Sequence, residues 1–471
     1  MSTLSSLNSL LGSSSSSAVN LSAILEAATG ASSPGIDVNA AVSAAITAAQ
    51  APEQNWEDQQ TTLQSQQTAL TALQTASSNL DNDVLALNDL SGPLTATLVN
   101  SSNSSLVTGS AAPGTTVGND VVVVNSLATT ASWSSNTLAT ESTVLPPETF
   151  VITTASGGSA TITTGNGINT LDDLTKAINS QNLGLSANVV NDANGARLVV
   201  SSSTSGSASN FTVTSSDSSF SLTQAVAGAN ASLTVNGIGI SSASNTVTGA
   251  VPGLTINLVG ASPGTQVSLA VTHDTSQAST AINQFVTDYN TLIGQLNTQF
   301  TDTGSGEGVL SSDPSVRSLQ SELLQALSYT SLPADGSTTT VPNLSSLGIS
   351  VNSDGTLAVN STTLNNTLQN NFSDVQNFFQ GPTLNGFANS LDQQLTSFIS
   401  PSDGAFTVDL KSISSEYSTL QDDINNFETN IITPLRTQLQ SEFSQAEIAL
   451  QQLPNEIKNV DAELGQNNSN G

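Results

Sequence analysis

The sequence predicts an α+β multidomain protein in which long N- and C-terminal coiled-coil helices form a leg and β-rich head domains are inserted between them. A seven-residue apolar repeat runs without Gly or Pro through 53–90, and similar spacing covers 410–464. Between them, residues 94–270 are rich in Val, Thr and Ser and are punctuated by Gly, Pro and Asn-Gly turn signals. The 471 residues suffice for three or so domains of ~150 residues each.

The N-terminal part divides into a tail and a leg. Residues 1–34 are Ser-rich, and we expect a disordered tail with a short helix at Leu21–Ala28. A longer helical pattern follows, for which either Asp37 or Asn39 is a suitable N-cap. We therefore assign 35–93 to an N-terminal helical leg.

The middle of the chain is assigned to a head and to the base that carries it. Residues 94–270 are expected to form a β-rich head with two subdomains. One helix interrupts the strands, because Leu171, Leu174 and Ile178 recur at helical spacing. Residues 271–381 switch back to helical spacing and are predicted to form a helical and hairpin domain at the base of the head.

That base ends in a hairpin and a helix. Ile349 and Val351 alternate with polar residues, and Asp354 and Gly355 supply a turn. The period then changes, and apolar residues at four- and three-residue steps predict an amphipathic helix over Leu364–Phe379. We expect this helix to brace the junction between head and leg.

Residues 382–471 are assigned to a C-terminal coiled-coil leg. The apolar spacing slips at 431–435, which is typical of a stutter, and Pro454 is expected to kink or restart the helix. At 1.5 Å per residue, the two long helices would span ~57 and ~80 Å, too long for the inside of one globule. They should run beside each other, or beside other chains, as a stalk. The alternative is two ordinary helices that pack within the chain.

The candidate functional residues are the apolar side chains of the leg seam and of the brace. The predicted seam consists of Leu63, Leu70, Leu73, Leu80, Val84, Leu87, Ile413, Tyr417, Leu420, Ile424, Phe427, Leu439, Phe443, Leu450, Leu453, Ile457 and Val460. The predicted brace consists of Leu364, Leu368, Phe372, Val375 and Phe379.

Composition excludes several classes of function. Six basic residues face 36 acidic ones, and the net charge of −30 argues against nucleic acid and anionic membrane surfaces as partners. Cysteine is absent, so disulfides and thiolate zinc sites are excluded. The single histidine, His273, is assigned to a strand-to-helix junction because no nucleophile motif accompanies it. We therefore expect no enzyme activity and no cofactor.

The sequence also bears on location. No apolar run approaches the ~18 residues of a membrane span, and the N-terminus lacks the basic region of a secretory signal peptide. We therefore expect no membrane insertion. The protein should stay inside the cell or leave by a route that needs no cleaved signal.

Several stretches together resemble the flagellar filament-capping family, also called hook-associated protein 2. "GIDVNAAVSAAITAAQAPE" resembles the opening segment of that family, and "NTLDDLTKAINSQNLGLSANVVNDANGARLVV" resembles a module shared with flagellins and hook proteins. The most specific match is "LGISVNSDGTLAVNSTTLNNTL" followed by "DVQNFFQG". The resemblance covers most of the chain from Gly35 to Gln452.

The resemblance implies a non-catalytic protein of the bacterial flagellum. It implies a homo-oligomer, with a pentamer expected, that caps the distal tip of the filament and guides the insertion and folding of exported flagellin. It also implies export through the flagellar secretion channel and a chaperone that covers the C-terminal helix. The alternatives are another flagellar axial protein, namely a flagellin or a hook–filament junction protein, and, less favoured, a secreted adhesin.

Overall fold

The computed structural model describes residues 37–302, 304, 306–331 and 338–467, with side chains described up to residue 459. The predicted tail at 1–34 and its short helix lie outside these residues. The first two elements are the helices α1 (Val38–Ala49) and α2 (Ala51–Asn88). The carboxylate of Asp37 accepts a hydrogen bond from the amide of Ala40 at 3.0 Å, so the first of the two predicted N-caps is confirmed.

Two antiparallel sheets share the first hydrophobic core of the head. One has the strand order β1-β15-β3-β11-β12 and the other β13-β14-β2. Their core includes Val122, Leu233, Ile256 and Leu269, all of them buried. The strands are β1 (Thr97–Ser101), β2 (Val107–Ala111), β3 (Gly118–Ser126), β11 (Ala231–Val235), β12 (Ile238–Ser242), β13 (Thr246–Val251), β14 (Leu254–Leu258) and β15 (Val267–His273).

A second core lies in the segment inserted between β3 and β11. Its sheets have the orders β10-β4-β8-β7 and β6-β5-β9, and α3 packs on them through Leu171, Leu174 and Ile178. Thr170 and Asp173 form a reciprocal capping box at the start of α3. These elements are β4 (Ser132–Ser135), β5 (Thr149–Thr154), β6 (Ser159–Thr163), α3 (Leu171–Asn179), β7 (Leu185–Asp192), β8 (Gly195–Ser202), β9 (Phe211–Ser215) and β10 (Leu222–Val226).

A third and larger core is helical and unites segments that are distant in sequence. It combines the C-terminal half of α2 with the helices and hairpin that follow the head, and with the start of the next long helix. Its further elements are α4 (Thr275–Phe300), α5 (Pro314–Ala326), β16 (Ile349–Val351), β17 (Leu357–Val359), α6 (Ser361–Asn370), α7 (Phe372–Gln380) and α8 (Phe387–Ile399).

The hairpin forms as predicted, whereas the single helix over Leu364–Phe379 is wrong. β16 and β17 pair in antiparallel register, and Gly355 turns the chain with a φ of +83°, a conformation that glycine adopts without steric cost. The helix is broken at Asn371, whose φ of −134° is not helical, so that α6 and α7 are separate. The apolar spacing continues across the break, and for that reason periodicity could not reveal it.

The C-terminal helix is long and carries one irregularity. It comprises α9 (Ala405–Phe427), a five-residue π turn (Glu428–Ile432) and α10 (Thr433–Asn467). The π turn lies where the apolar spacing slips, because a π turn absorbs one extra residue into a continuous helix. The restart expected at Pro454 is wrong, since α10 continues through it to Asn467.

Candidate assembly interface

The N-terminal half of the predicted seam is buried within the chain. Its six residues are at most 8% exposed. From Leu70 to Leu87 they belong to the helical core, where α2 packs against α4, α8 and α9. Ser77 occupies a seam position between them and is fully buried. This part of the seam therefore packs the C-terminal half of α2 into the helical core.

The C-terminal half of the seam pairs with α1 and α2 in antiparallel fashion. The amide of Gln74 donates to the hydroxyl of Thr407 at 3.3 Å, and the amide of Gln60 donates to Gln421 at 3.4 Å. Further along, the rings of Trp56 and Phe427 meet edge to face with their centroids 5.5 Å apart. Among the seam residues of α9, Leu420 and Ile424 are buried, whereas Ile413, Tyr417 and Phe427 are half-buried.

The π turn faces the junction between α1 and α2. The side chain of Gln50, which separates these two helices, donates to carboxylate oxygens of Glu428 at 2.6 Å and of Glu53 at 3.1 Å. Burial, followed by the charge of Glu428, raises the pKa of Glu53 above its usual value. The π turn of the C-terminal helix therefore lies opposite the break between α1 and α2, and the side-chain amide of Gln50 joins the two.

The pairing continues along α10 and then ends. Val42 and Ile46 of α1 form a cluster with Ile432 and Leu439, and Phe443 packs against its edge. The next predicted seam residues are exposed in the described structure, with Leu450 at 44%, Leu453 at 50% and Ile457 at 54%. The side chain of Val460 lies outside the described residues. The structure thus brings the first part of the C-terminal seam into contact and leaves its end uncovered.

All five predicted brace residues are buried in the helical core. Leu364, Leu368, Val375 and Phe379 are fully buried and Phe372 nearly so. Phe372, Val375 and Phe379 lie on α7, which contacts α2 of the leg. Phe378 lies outside the predicted brace but is also fully buried, and it stacks on Phe387 with 5.3 Å between the ring centroids.

One stacked pair links the head to the brace. His273 ends β15, the last strand of the head, and its ring lies parallel to that of Phe372 with 4.0 Å between centroids. Burial lowers the pKa of His273, which favours the neutral ring. The expected place of His273 at a strand-to-helix junction is confirmed, because α4 begins two residues later.

Two amide side chains at the joint, the buried Gln380 and the half-buried Asn290, lie outside the predicted seam and brace. Gln380 donates to the carbonyl oxygens of Leu87 at 3.2 Å and Asp89 at 3.1 Å, which closes the C-terminal end of α2. Asn290 of α4 binds both backbone groups of Leu357, so that it fastens the hairpin to α4. Leu87 lies 293 residues from Gln380 in the sequence, and Leu357 lies 67 residues from Asn290. No local sequence pattern signals contacts over such separations.

Carboxyl groups face each other across two interfaces of α2. Burial, followed by the facing Asp392 of α8, raises the pKa of Asp81 to about 7. Burial, followed by a hydrogen bond to Asp288 of α4, raises the pKa of Asp83 to about 7. One oxygen of each is buried without a partner among the described atoms. Asp81 and Asp83 are therefore only partly ionised at neutral pH.

The described residues contain neither a metal-binding cluster nor a membrane-spanning helix. They contain no group of three or more acidic, histidine or cysteine side chains arranged to hold a metal ion. Among the described helices, none has the length and apolarity needed to cross a membrane.

Comparison with known proteins assigns both ends of the chain to one family. Residues 34–131 match the family model described as flagellar hook-associated protein 2 N-terminus. Residues 228–455 match the model described as flagellar hook-associated protein 2 C-terminus. A search of curated proteins found no match.

Solved structures give a similar result. The D1-D2-D3 domains of the flagellar cap protein FliD from Escherichia coli are 26% identical, with a TM-score of 0.59, and the match covers 74% of this chain and 99% of that chain. FliD (HAP2) from Pseudomonas aeruginosa is 25% identical, with a TM-score of 0.36 and coverage of 42% and 98%. With both family models and the long match to the Escherichia coli protein in agreement, the chain belongs to the flagellar hook-associated protein 2 family, a family of structural flagellar cap proteins.

Proposed function

We propose that this protein caps the distal tip of the flagellar filament as a homo-oligomer, with five subunits expected, and guides the insertion and folding of exported flagellin. The observation that carries the proposal is the agreement of both family models with the match to nearly all of a three-domain cap protein. No bond is made or broken in this function. It therefore needs surfaces and a stiff joint rather than catalytic groups.

The helical core supplies such a joint. The head is connected to it by the segment between α2 and β1 and by the passage from β15 to α4, and both lie near the brace. The stacking of His273 on Phe372 and the bonds from Gln380 to α2 tie head and leg to the same core. A load on the head would be passed to the leg through buried contacts.

We further propose the division of labour expected from the sequence. Residues 35–93 and 382–471 provide the leg, 94–270 provide the head with two subdomains, and 271–381 provide its base. The leg would contact the terminal flagellin subunits, and the heads would form the plate of the cap. Before assembly, an export chaperone would cover the C-terminal helix, and the flagellar secretion channel would deliver the chain without a cleaved signal.

Gene deletion tests the proposed function. Cells without the gene should shed flagellin into the medium and bear few filaments, because subunits leave the channel without being retained. The measurements are immunoblots of the medium and electron microscopy of the cells, with the restored full-length gene as control. Filaments of normal length on deleted cells would contradict the proposal. A purified protein that remains monomeric in native mass spectrometry at all concentrations would contradict the oligomer.

The brace can be tested separately. Phe379→Asp places a charge in a fully buried site and should lower the free energy of unfolding by at least ~3 kcal/mol. The milder Phe372→Ala removes the stack on His273 and should shorten filaments in cells that still produce the protein. Val408→Asp is the control, because Val408 is 52% exposed. Thermal unfolding and filament growth that are unchanged in both brace variants would argue against a brace.

A further inference from the structure

Four exposed asparagines of the described structure are each followed by a glycine. They are Asn166, Asn194, Asn236 and Asn385. This dipeptide permits an intramolecular reaction in which the backbone nitrogen of the glycine attacks the side-chain carbonyl carbon of the asparagine. Glycine favours the reaction because no side chain shields its nitrogen. Since the four dipeptides and the exposure of their asparagines are alike, local packing and hydrogen bonds should decide which of them react.

Hydrogen bonds hold the side chain of Asn236 in place. Its oxygen accepts from the amide of Val121 at 2.9 Å, and its nitrogen donates to the carboxylate of Asp120 at 2.8 Å. Both bonds must break before the side chain can turn towards the next backbone nitrogen, and this adds to the barrier.

At Asn385 the attacking group is restrained instead. The amide of Gly386 donates to the carbonyl oxygen of Gln380 at 2.9 Å, and Gly386 is buried. A nitrogen whose hydrogen is bound in this way is a poor nucleophile, because the bond must first be lost.

Asn194 is restrained by packing. Its side chain has no hydrogen-bond partner among the described atoms, but Gly195 lies so close to the carbonyl oxygen of Leu138 that even a Cβ would clash. The backbone at Gly195 therefore has little room for the rotation that ring closure needs.

Asn166 has none of these restraints. Asn166 and Gly167 are the central residues of a turn after β6, which is closed by backbone hydrogen bonds of 2.9 Å in both directions between Gly165 and Ile168. Within the described structure, neither the side chain of Asn166 nor the amide of Gly167 has a hydrogen-bond partner. No atom lies within 4 Å of the place that a Cβ of Gly167 would take. Both reacting groups are free, and the backbone has space to move.

We propose that Asn166 is a site of spontaneous deamidation in the folded protein, and that the fold protects Asn236 and Asn385. The amide of Gly167 gives its proton to solvent, and its nitrogen forms a bond to Cγ of Asn166. The bond from Cγ to Nδ2 breaks, and Nδ2 takes up a proton and leaves as ammonia. A water molecule then opens the five-membered ring to give aspartate or isoaspartate.

Either product adds a negative charge to the turn between β6 and α3. Isoaspartate also lengthens the main chain there by one carbon atom, because the chain then runs through the side chain. Converted molecules should therefore separate from unconverted ones on an anion-exchange column. The inference does not depend on the proposed function.

Ageing of the purified full-length protein tests the proposal. Samples are kept warm at pH 8, and digestion with pepsin at low pH then stops the reaction, which needs the deprotonated amide. Mass spectrometry of the peptides should show conversion at Asn166 several-fold faster than at Asn236 and Asn385. In the control variant Asn166→Gln, the acidic species that forms first should be lost, because the longer side chain closes the ring less readily.

A denatured sample separates the effect of the fold from that of the sequence. In concentrated guanidinium chloride the four sites lose their restraints and should react at similar rates, since glycine follows each of them. Conversion of Asn166 in the folded protein as slow as that of Asn236 would overturn the proposal. The same ranking of rates in folded and denatured protein would also overturn it, because neighbours in sequence would then set the rates.

Discussion

Gln380 lies at the point where brace and leg meet, and its amide satisfies two carbonyl oxygens that a helix end leaves without partners. Its side chain is only 3% exposed, so water does not readily replace it. The residue therefore holds α7 at a fixed position on α2, and the joint depends on this polar contact as well as on apolar packing.

Gln380→Leu should therefore weaken the joint. The substitution keeps much of the side-chain volume but leaves the carbonyls of Leu87 and Asp89 buried without a donor, which costs about 1–3 kcal/mol. Chemical denaturation measured by circular dichroism checks this. Gln64→Leu on the exposed face of α2 is the matched control and should change stability little. Equal stability of the two variants would show that Gln380 does not close the helix.

At the scale of single residues, the sequence predicts buried apolar positions well and functional polar positions poorly. Phe379 and Leu80 were found because burial of a helix face imposes a period on the sequence. Gln380 and Asn290 impose no period, and the many other Gln and Asn of the chain make them inconspicuous in the sequence. Their roles became visible only when the fold placed each beside a distant backbone.

Between elements, the carboxyl pairs around α2 make its packing sensitive to pH. Among the described residues, the titratable groups that face Asp81 and Asp83 are Asp392 on α8 and Asp288 on α4, and no basic group contributes to either pKa. In the unfolded chain the carboxyls of Asp81 and Asp83 titrate near pH 4, whereas in the folded protein the pKa of each is raised to about 7. The folded state thus binds more protons between those limits, and its stability falls as pH rises from 4 to 7.

We expect the helical core to unfold at a higher temperature at pH 5 than at pH 8. After allowance for partial exposure, the gain is roughly 2 kcal/mol. The double variant Asp81→Asn and Asp83→Asn should reduce this difference and stabilise the core at pH 8. The half-buried His273, whose pKa is lowered, acts in the opposite direction below pH 6.5 and remains in both proteins. Asp58→Asn, on an exposed face, is the control, and a pH difference that persists in the double variant would contradict the assignment.

The elements themselves were largely predictable, with two instructive exceptions. α6 and α7 were predicted as one helix, because Leu368, Phe372 and Val375 keep their spacing across Asn371. The slip at 431–435 was visible in the sequence, but its form as a π turn opposite Gln50 was not, since that depends on the break between α1 and α2. Periodicity therefore finds helix faces more reliably than helix ends.

Across the whole molecule, charge contributes little attraction. Within the described residues the one ion pair joins Arg197 to Asp192 at 3.8 Å on the surface of the head. The net charge is −30, so long-range forces between side chains are mainly repulsive. Added NaCl should therefore raise the unfolding temperature, or leave it unchanged, up to about 1 M, where screening reaches ~3 Å. A lower unfolding temperature in salt would show that hidden ion pairs matter.

The described leg helices contain no ion pair, and this bears on the salt concentrations at which they stay paired. Interfaces made of apolar faces and amide groups should stay paired at both low and high salt concentration. Dissolved ions screen attraction between opposite charges, and these interfaces do not depend on such attraction. Salt should therefore not loosen a leg built in this way, whereas a rise in pH from 4 to 7 should weaken its packing around α2.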